Sequence, residues 1–284
     1  MPIVKVENKW NRTLMLTQNE HRWQLIGLLG LNPPAADIMT TIIPYTDGAR
    51  FNTSRLQMRN VVITLALTED VERGRTSLNS VIMAKQPLRV YYKNNTVDVY
   101  IDGYVESFEY DVFNNIVTAQ VSILCPAPYW VSVKQQTVDV TPVISLFEFP
   151  FSLPVEGIAV SEMKLVRTET VEYTGTVQTG VEISITCLNA ISSPAVTNRT
   201  TGETMTFTGL TLVPGQTLRI STVQGKKSVQ LVTESETTNA INAMDLGNQW
   251  ITVMPGTNIF EITAESGADD IRATITVSEK YGGV

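Results

Sequence analysis

Apolar and polar residues alternate in short runs along most of this chain, with Gly, Pro, Asn and Asp between the runs. A period of two puts every second side chain on one face of a strand, and the punctuating residues suit turns. Residues 61–67 and 88–92 are rich in β-branched and aromatic side chains and predict strands. Residues 97–101 predict another, running through Asp102-Gly103 into 104–108. Residues 93–96 and Asn114-Asn115 offer tight turns, since Asn tolerates positive φ. Val121, Ile123 and Cys125 alternate with Ser122 and Leu124 until Pro126 and Pro128 end the strand. Each proline lacks an N–H and fixes φ. Tyr129 and Trp130 follow at once, placed to cover a core, so Cys125, Pro126, Pro128, Tyr129 and Trp130 form a predicted structural corner.

One stretch departs from the period of two. Over residues 69–85 the apolar positions Leu78, Ile82 and Met83, with Val81 beside them, recur at helical spacing. Asp70 suits the cap, and Gln86-Pro87 ends the stretch. The expectation is a short helix whose apolar face packs on the sheet. From about Pro154 the pattern is almost purely β, with runs at 181–187, 204–207, 259–262 and 272–277. Turn signals at Thr201-Gly202, Pro214-Gly215, Gln224-Gly225 and Pro255-Gly256 give the rhythm of a β-sandwich. The organisation predicted is mainly β. An N-terminal β-rich domain with one short helix covers residues 1–135, a connector covers 136–152, and a β-sandwich covers 153–284.

The length of 284 residues suits two domains, and 17% charged residues is slightly low for a globular chain. The net charge of −7 falls wholly in residues 141–284, while residues 1–140 are balanced. An acidic half does not neutralise phosphates, which argues against nucleic-acid binding. The longest apolar runs, such as residues 25–31, fall far short of the ~20 residues of a membrane span. The N-terminal residues carry no signal pattern, so synthesis in a cytoplasm is expected.

Candidate chemistry is sparse. Cys125 and Cys187 form no Cys-x-x-Cys, and the single histidine, His21, completes neither a Ser-His-Asp set nor a Cys/His zinc set. Buried thiols and a loop histidine are the expected states. Gly225-Lys226-Lys227-Ser228 lacks the upstream glycine of a phosphate-binding loop. No catalytic residue, cofactor site or metal site is therefore predicted, and an enzyme is not expected. Trp250, in Asn248-Gln249-Trp250, is the one candidate platform for stacking on a sugar ring. Burial against the sandwich edge gains an aromatic more area and is the expected use.

A resemblance ties these segments together. Leu31-Asn32-Pro33-Pro34-Ala35, Asp47-Gly48, Phe51-Asn52-Thr53-Ser54-Arg55 and Arg59-Asn60-Val61-Val62-Ile63 follow one another in that order. Asp70-Val71-Glu72-Arg73-Gly74-Arg75, Asp102-Gly103-Tyr104-Val105-Glu106-Ser107 and the 125–130 corner come next. Asn198-Arg199-Thr200-Thr201-Gly202-Glu203, the run 215–222, Trp250 and Met254-Pro255-Gly256-Thr257-Asn258 complete the series. In order and spacing the chain resembles the distal tail protein family of long-tailed bacteriophages, the ring protein of the baseplate or tail tip. The family commonly has an acidic residue where this chain has Ala127, and an aromatic pair after the position of Arg75.

The resemblance implies a belt domain followed by a galectin-like β-sandwich. It implies a homo-hexameric ring at the distal end of the tail tube, in the virion tail tip, with DNA only passing through the channel. The implied partners are the tail tube protein, the tail-associated hub or lysin protein and receptor-binding proteins, with no membrane. The alternative is a carbohydrate-binding module that recognises a bacterial cell-surface glycan directly.

Overall fold

The alternating segments form antiparallel strands in a computed structural model that describes residues 2–17, 22–113, 116–140 and 167–284. His21, Asn114, Asn115 and residues 141–152 of the expected connector lie outside the described residues. The chain divides into two units, one of residues 1–134 with 280–284 and one of residues 135–279.

In the first unit the strands are β1 (Ile3–Asn8), β2 (Thr13–Leu16), β3 (Trp23–Leu29), β4 (Ala36–Ile42), β5 (Ala49–Leu56) and β6 (Arg59–Leu67). Helix α1 (Val71–Val81) follows, then β7 (Pro87–Lys93), β8 (Asp98–Asp111), β9 (Val117–Cys125) and β10 (Trp130–Val140). The two predicted halves around Asp102-Gly103 are one strand of 14 residues, and it serves two sets of partners. Its first half pairs β7, which pairs β1, which pairs β2. Its second half pairs β9, which pairs β6, which pairs β3. A register shift between Val105 and Ser107 marks the change; such an irregularity bends the strand. Val4, Val90, Ile101, Ile63, Val121 and Ile123 are fully or almost fully buried in one core.

Asp70 caps the helix, accepting from the Arg73 N–H at 3.3 Å, as the sequence suggests. The helix is shorter than the 69–85 pattern: Ile82 has left it with extended torsions, φ −102° and ψ 112°. Leu78, Val81 and Ile82 are buried in the core, but Met83 is half exposed and does not share the apolar face. Gly74 lets the helix lie close, because a Cβ there would stand 3.3 Å from Leu67 Cδ2. The turn at 93–96 forms, but not through a positive φ at Asn94. The Asn94 side chain instead accepts from the N–H groups of Thr96 and Val97, at 2.8 and 2.7 Å.

The second unit contains β11 (Arg167–Tyr173), β12 (Thr179–Gly180), β13 (Glu182–Cys187), β14 (Ile191–Ser192), β15 (Ala195–Asn198), β16 (Glu203–Thr206) and β17 (Thr211–Leu212). It continues with β18 (Thr217–Ser221), β19 (Ser228–Val232), β20 (Thr237–Asn239), β21 (Thr252–Val253), β22 (Gly256–Thr263) and β23 (Ile271–Tyr281). One layer runs β23-β13-β18-β19-β20 and the other β11-β22-β15-β16. Val171, Val196, Phe260 and Ile262 from the second layer meet Ile183, Ile185, Leu218, Ile220 and Ile275 from the first in one core. That is a β-sandwich. Gly202, Gly215, Gly225 and Gly256 all take positive φ at the predicted turn signals.

Two strands pass from one unit into the other. Residues 136–140, expected as connector, are the end of β10, and Val140 is buried in the second core. The polar run 134–137 masks the alternation of Val138 and Val140 with Thr137 and Asp139. Residues 280–284, expected within the sandwich, belong to the first unit. Tyr281 and Val284 pack against its core.

Candidate functional site

The predicted corner is organised by a residue that the sequence pattern did not single out. Arg59 opens β6 directly opposite Cys125 of β9 and is 2% exposed. Its guanidinium meets backbone carbonyls on every side. Nε donates to Pro128 O at 2.8 Å, Nη1 to Asn32 O at 2.6 Å and also to Gly30 O, and Nη2 to Gly282 O. A planar fork of donors can serve four carbonyls at once, which an ammonium cannot. Burial holds the Arg59 pKa below its ordinary value.

Around this knot, Cys125 and Trp130 are fully buried, Pro128 and Tyr129 are half-buried, and Pro126 is exposed. Trp130 Nε1 donates to the same Gly30 carbonyl at 3.3 Å, and its ring lies 6.4 Å from that of Tyr92. Gly30 takes φ +94° and has no room for a side chain: a Cβ would stand 2.5 Å from Asn60 O. Gly103 is equally confined, a Cβ there falling 2.7 Å from Cys125 Sγ and from Ile123 Cγ2. Burial pushes the Cys125 thiol pKa up to about 12, so it is a protonated, inert packing group at neutral pH. Pro126 and Ala127 face an open groove of about 520 Å³ with Leu88, Tyr104 and the Arg89–Asp102 ion pair.

The same unit carries a surface of opposite character. Among the described residues, strands β4 and β5 pair only with each other, and almost every residue in them and in their turn is exposed. Ile42 is 79% exposed, Phe51 60% and Tyr45 fully, with Ile38, Met39, Ile43, Leu56 and Met58 exposed beside them. The charged pair Arg55–Asp37 is satisfied within the hairpin at 3.0 Å. Hydrogen bonds from Gln57 and Arg55 hold the Asp37 carboxyl pKa below its usual value. An isolated hairpin gains no core from these exposed side chains.

In the second unit the segments 198–203 and 254–258 meet through buried amides. Asn198 and Asn258 are fully buried. Asn198 Nδ2 donates to Thr252 O at 2.7 Å, and its Oδ1 accepts from the Thr200 N–H at 3.0 Å. Asn258 donates to Met254 O and Gly256 O and accepts from the Met254 N–H. Glu203 receives the Thr252 N–H at 2.6 Å and the Thr201 hydroxyl at 2.9 Å. These polar residues hold turns. Trp250 is half-buried against the core, with Lys227 Nζ 5.2 Å from the ring centroid. Cys187 is buried, and burial raises its pKa. Among the described residues no group of His, Cys, Asp and Glu could hold a metal, and no helix is long and apolar enough to cross a membrane.

The comparisons agree with this architecture. Residues 174–281 match the family described as siphovirus-type tail component, C-terminal domain. The crystal structure of Dit from phage SPP1, described as a paradigm of the hub adsorption apparatus in phages infecting Gram-positive bacteria, is similar over 98% of both chains. Its TM-score is 0.68 at 13% identity. The phage p2 baseplate in its activated conformation, with calcium or with strontium, aligns over 100% of both chains, with TM-score 0.51 at 10% identity in each case. A comparison with curated protein sequences gives no match. The class these matches point to is that of phage tail structural proteins. Residues 174–281 are thus similar to the siphovirus-type tail component family, and the whole chain shares the fold of the SPP1 distal tail protein, as its motif order implies.

Proposed function

We propose that this chain is the ring protein of a phage tail tip. Six copies would close at the distal end of the tail tube and join it to the tail-associated hub protein and the receptor-binding apparatus. The role is structural, with no step of catalysis, and DNA passes through the ring without being bound. The observation that carries this reading is the exposed apolar hairpin β4–β5. A closed ring needs two different patches per copy, so that one copy's projection meets its neighbour's receiving face. The balanced charge of residues 1–140 lets copies approach without repulsion.

The native mass of the full chain tests the proposal. The ring reading expects an assembly of about six copies closed by heterologous contacts, and Ile42→Ser with Phe51→Ser should dissociate it while leaving the monomer folded. A strict monomer at high concentration would overturn it. Retention of that monomer on host cell-wall polysaccharide, lost on Trp250→Ala, would favour a carbohydrate-binding module instead.

A further inference from the structure

We propose that residues 280–284 are a strap that closes the first unit, which stays incomplete until they dock. Where the ring reading holds, a chain then gains its ring-forming half only after its sandwich has been made. Four contacts carry this. Arg59 Nη2 donates to Gly282 O, among the described residues the only one of its carbonyl partners that does not come from residues 1–134. The Val284 N–H donates to Leu31 O at 3.0 Å. Gly283 lies flat on Pro33, where a Cβ would fall 2.8 Å from Pro33 Cδ and 3.2 Å from Leu31 O. Tyr281 and Val284 add apolar cover to the first core.

Without the strap the guanidinium stays in place but loses a partner, and the loop 30–34 loses its outer contact. A buried cation with a missing acceptor is costly, because desolvation is no longer offset. Residues 30–34 and the 125–130 corner share that cation, so loosening one loosens both. The whole second unit, residues 135–279, lies between Lys134 and the strap in the order of synthesis. The device therefore couples completion of one unit to completion of the other through chain order alone.

Amide hydrogen exchange on the full chain, on a deletion of residues 280–284 and on Gly283→Val tests the strap. Exchange at residues 59–63 and 121–125 should rise by about tenfold or more in both variants, as expected for a sub-globally opened unit. Residues 183–187 and 271–277 should keep their protection in Gly283→Val. Should the deletion fail to yield folded protein, Gly283→Val decides by itself, because it removes no atom of the core. Wild-type protection of β6 and β9 in Gly283→Val would overturn the proposal. Faster exchange in a protein whose wild type never self-associates would leave the strap standing and remove the ring.

Discussion

The Arg59 guanidinium donates to the backbone carbonyl of Gly282, 223 residues later in the chain. Among the described residues no carboxylate is a hydrogen-bond partner, and the partners are carbonyls of three separate segments. Such a cation acts as a peg through loops that have little secondary structure of their own, replacing the ladder bonds those loops lack.

Arg59→Met should therefore destabilise the first unit by about 3 kcal/mol or more, since each hydrogen bond to a charged group contributes on the order of 1.5–3 kcal/mol. Arg59→Lys should fall well short of rescue, because one ammonium does not reproduce the fork. Urea denaturation with separate probes for the two units checks both, the second unit keeping its midpoint. A lysine variant as stable as wild type would remove the geometric argument.

Trp130 fills the space beneath the corner with no exposed surface and one hydrogen bond. Trp130→Ala should cost roughly 3–5 kcal/mol, the usual range for emptying a buried aromatic site. Unchanged thermal stability with lost partner binding would instead make Trp130 an interface residue.

Gly103→Ala should destabilise by roughly 1–3 kcal/mol, the cost of overpacking a filled core. Cys125→Ala in the same chain should recover only part of this. It removes the sulfur 2.7 Å from the new Cβ but leaves the Leu124 carbonyl at 2.9 Å and the Ile123 side chain at 2.7 Å. Calorimetry of the single and double variants measures the coupling directly.

Much of this was written in the period-two alternation and in the turns. β6, β7, β9, β13 and β23 stand where apolar residues alternate, because burial of one face selects the strand. The end of β10 was not legible: the polar run Lys134, Gln135 and Gln136 led into an expected connector at 136–152, although Val138 and Val140 continue the alternation. Met83 misled because helical spacing does not reveal where extended torsions begin, here at Ile82. Of the corner, Cys125 and Trp130 could be read as core from pattern alone. Arg59 could not, since a charged residue at the start of a strand ordinarily faces water. Nothing local in Tyr281 to Val284 announces that they pack against residues 31–33. That information is in tertiary proximity, not in the residues themselves.

The buried amides of the second unit make a further check. Asn258 serves Met254 and Gly256 with both ends of its side chain, so that Asn258→Ala leaves the 254–258 turn without its internal staple. A loss of roughly 1–3 kcal/mol is expected, confined to the sandwich. Thermal unfolding that shifts the second unit alone would bear this out. A shift of the first unit alone would contradict it.

Alkaline pH should weaken the first unit through Cys125. Burial pushes its pKa up to about 12, against an ordinary value of 9.0, with nearby Arg59 opposing the rise and Asp102 adding to it. Between those values the unfolded chain has released the thiol proton while the folded chain still holds it. The folded state then binds more protons, and its stability falls as pH rises. The effect sets in near pH 9, grows up to about pH 12 as the linkage relation requires, and vanishes from the difference when the thiol is removed. Burial also pushes the Tyr110 phenol up to about 12 from 10.0, with the same sign but a later onset. Cys125→Ala should accordingly flatten the decline of the urea midpoint between pH 9 and 10, and leave a residual slope above pH 10. An identical decline in the two proteins over the lower interval would show that the Cys125 thiol does not titrate with unfolding.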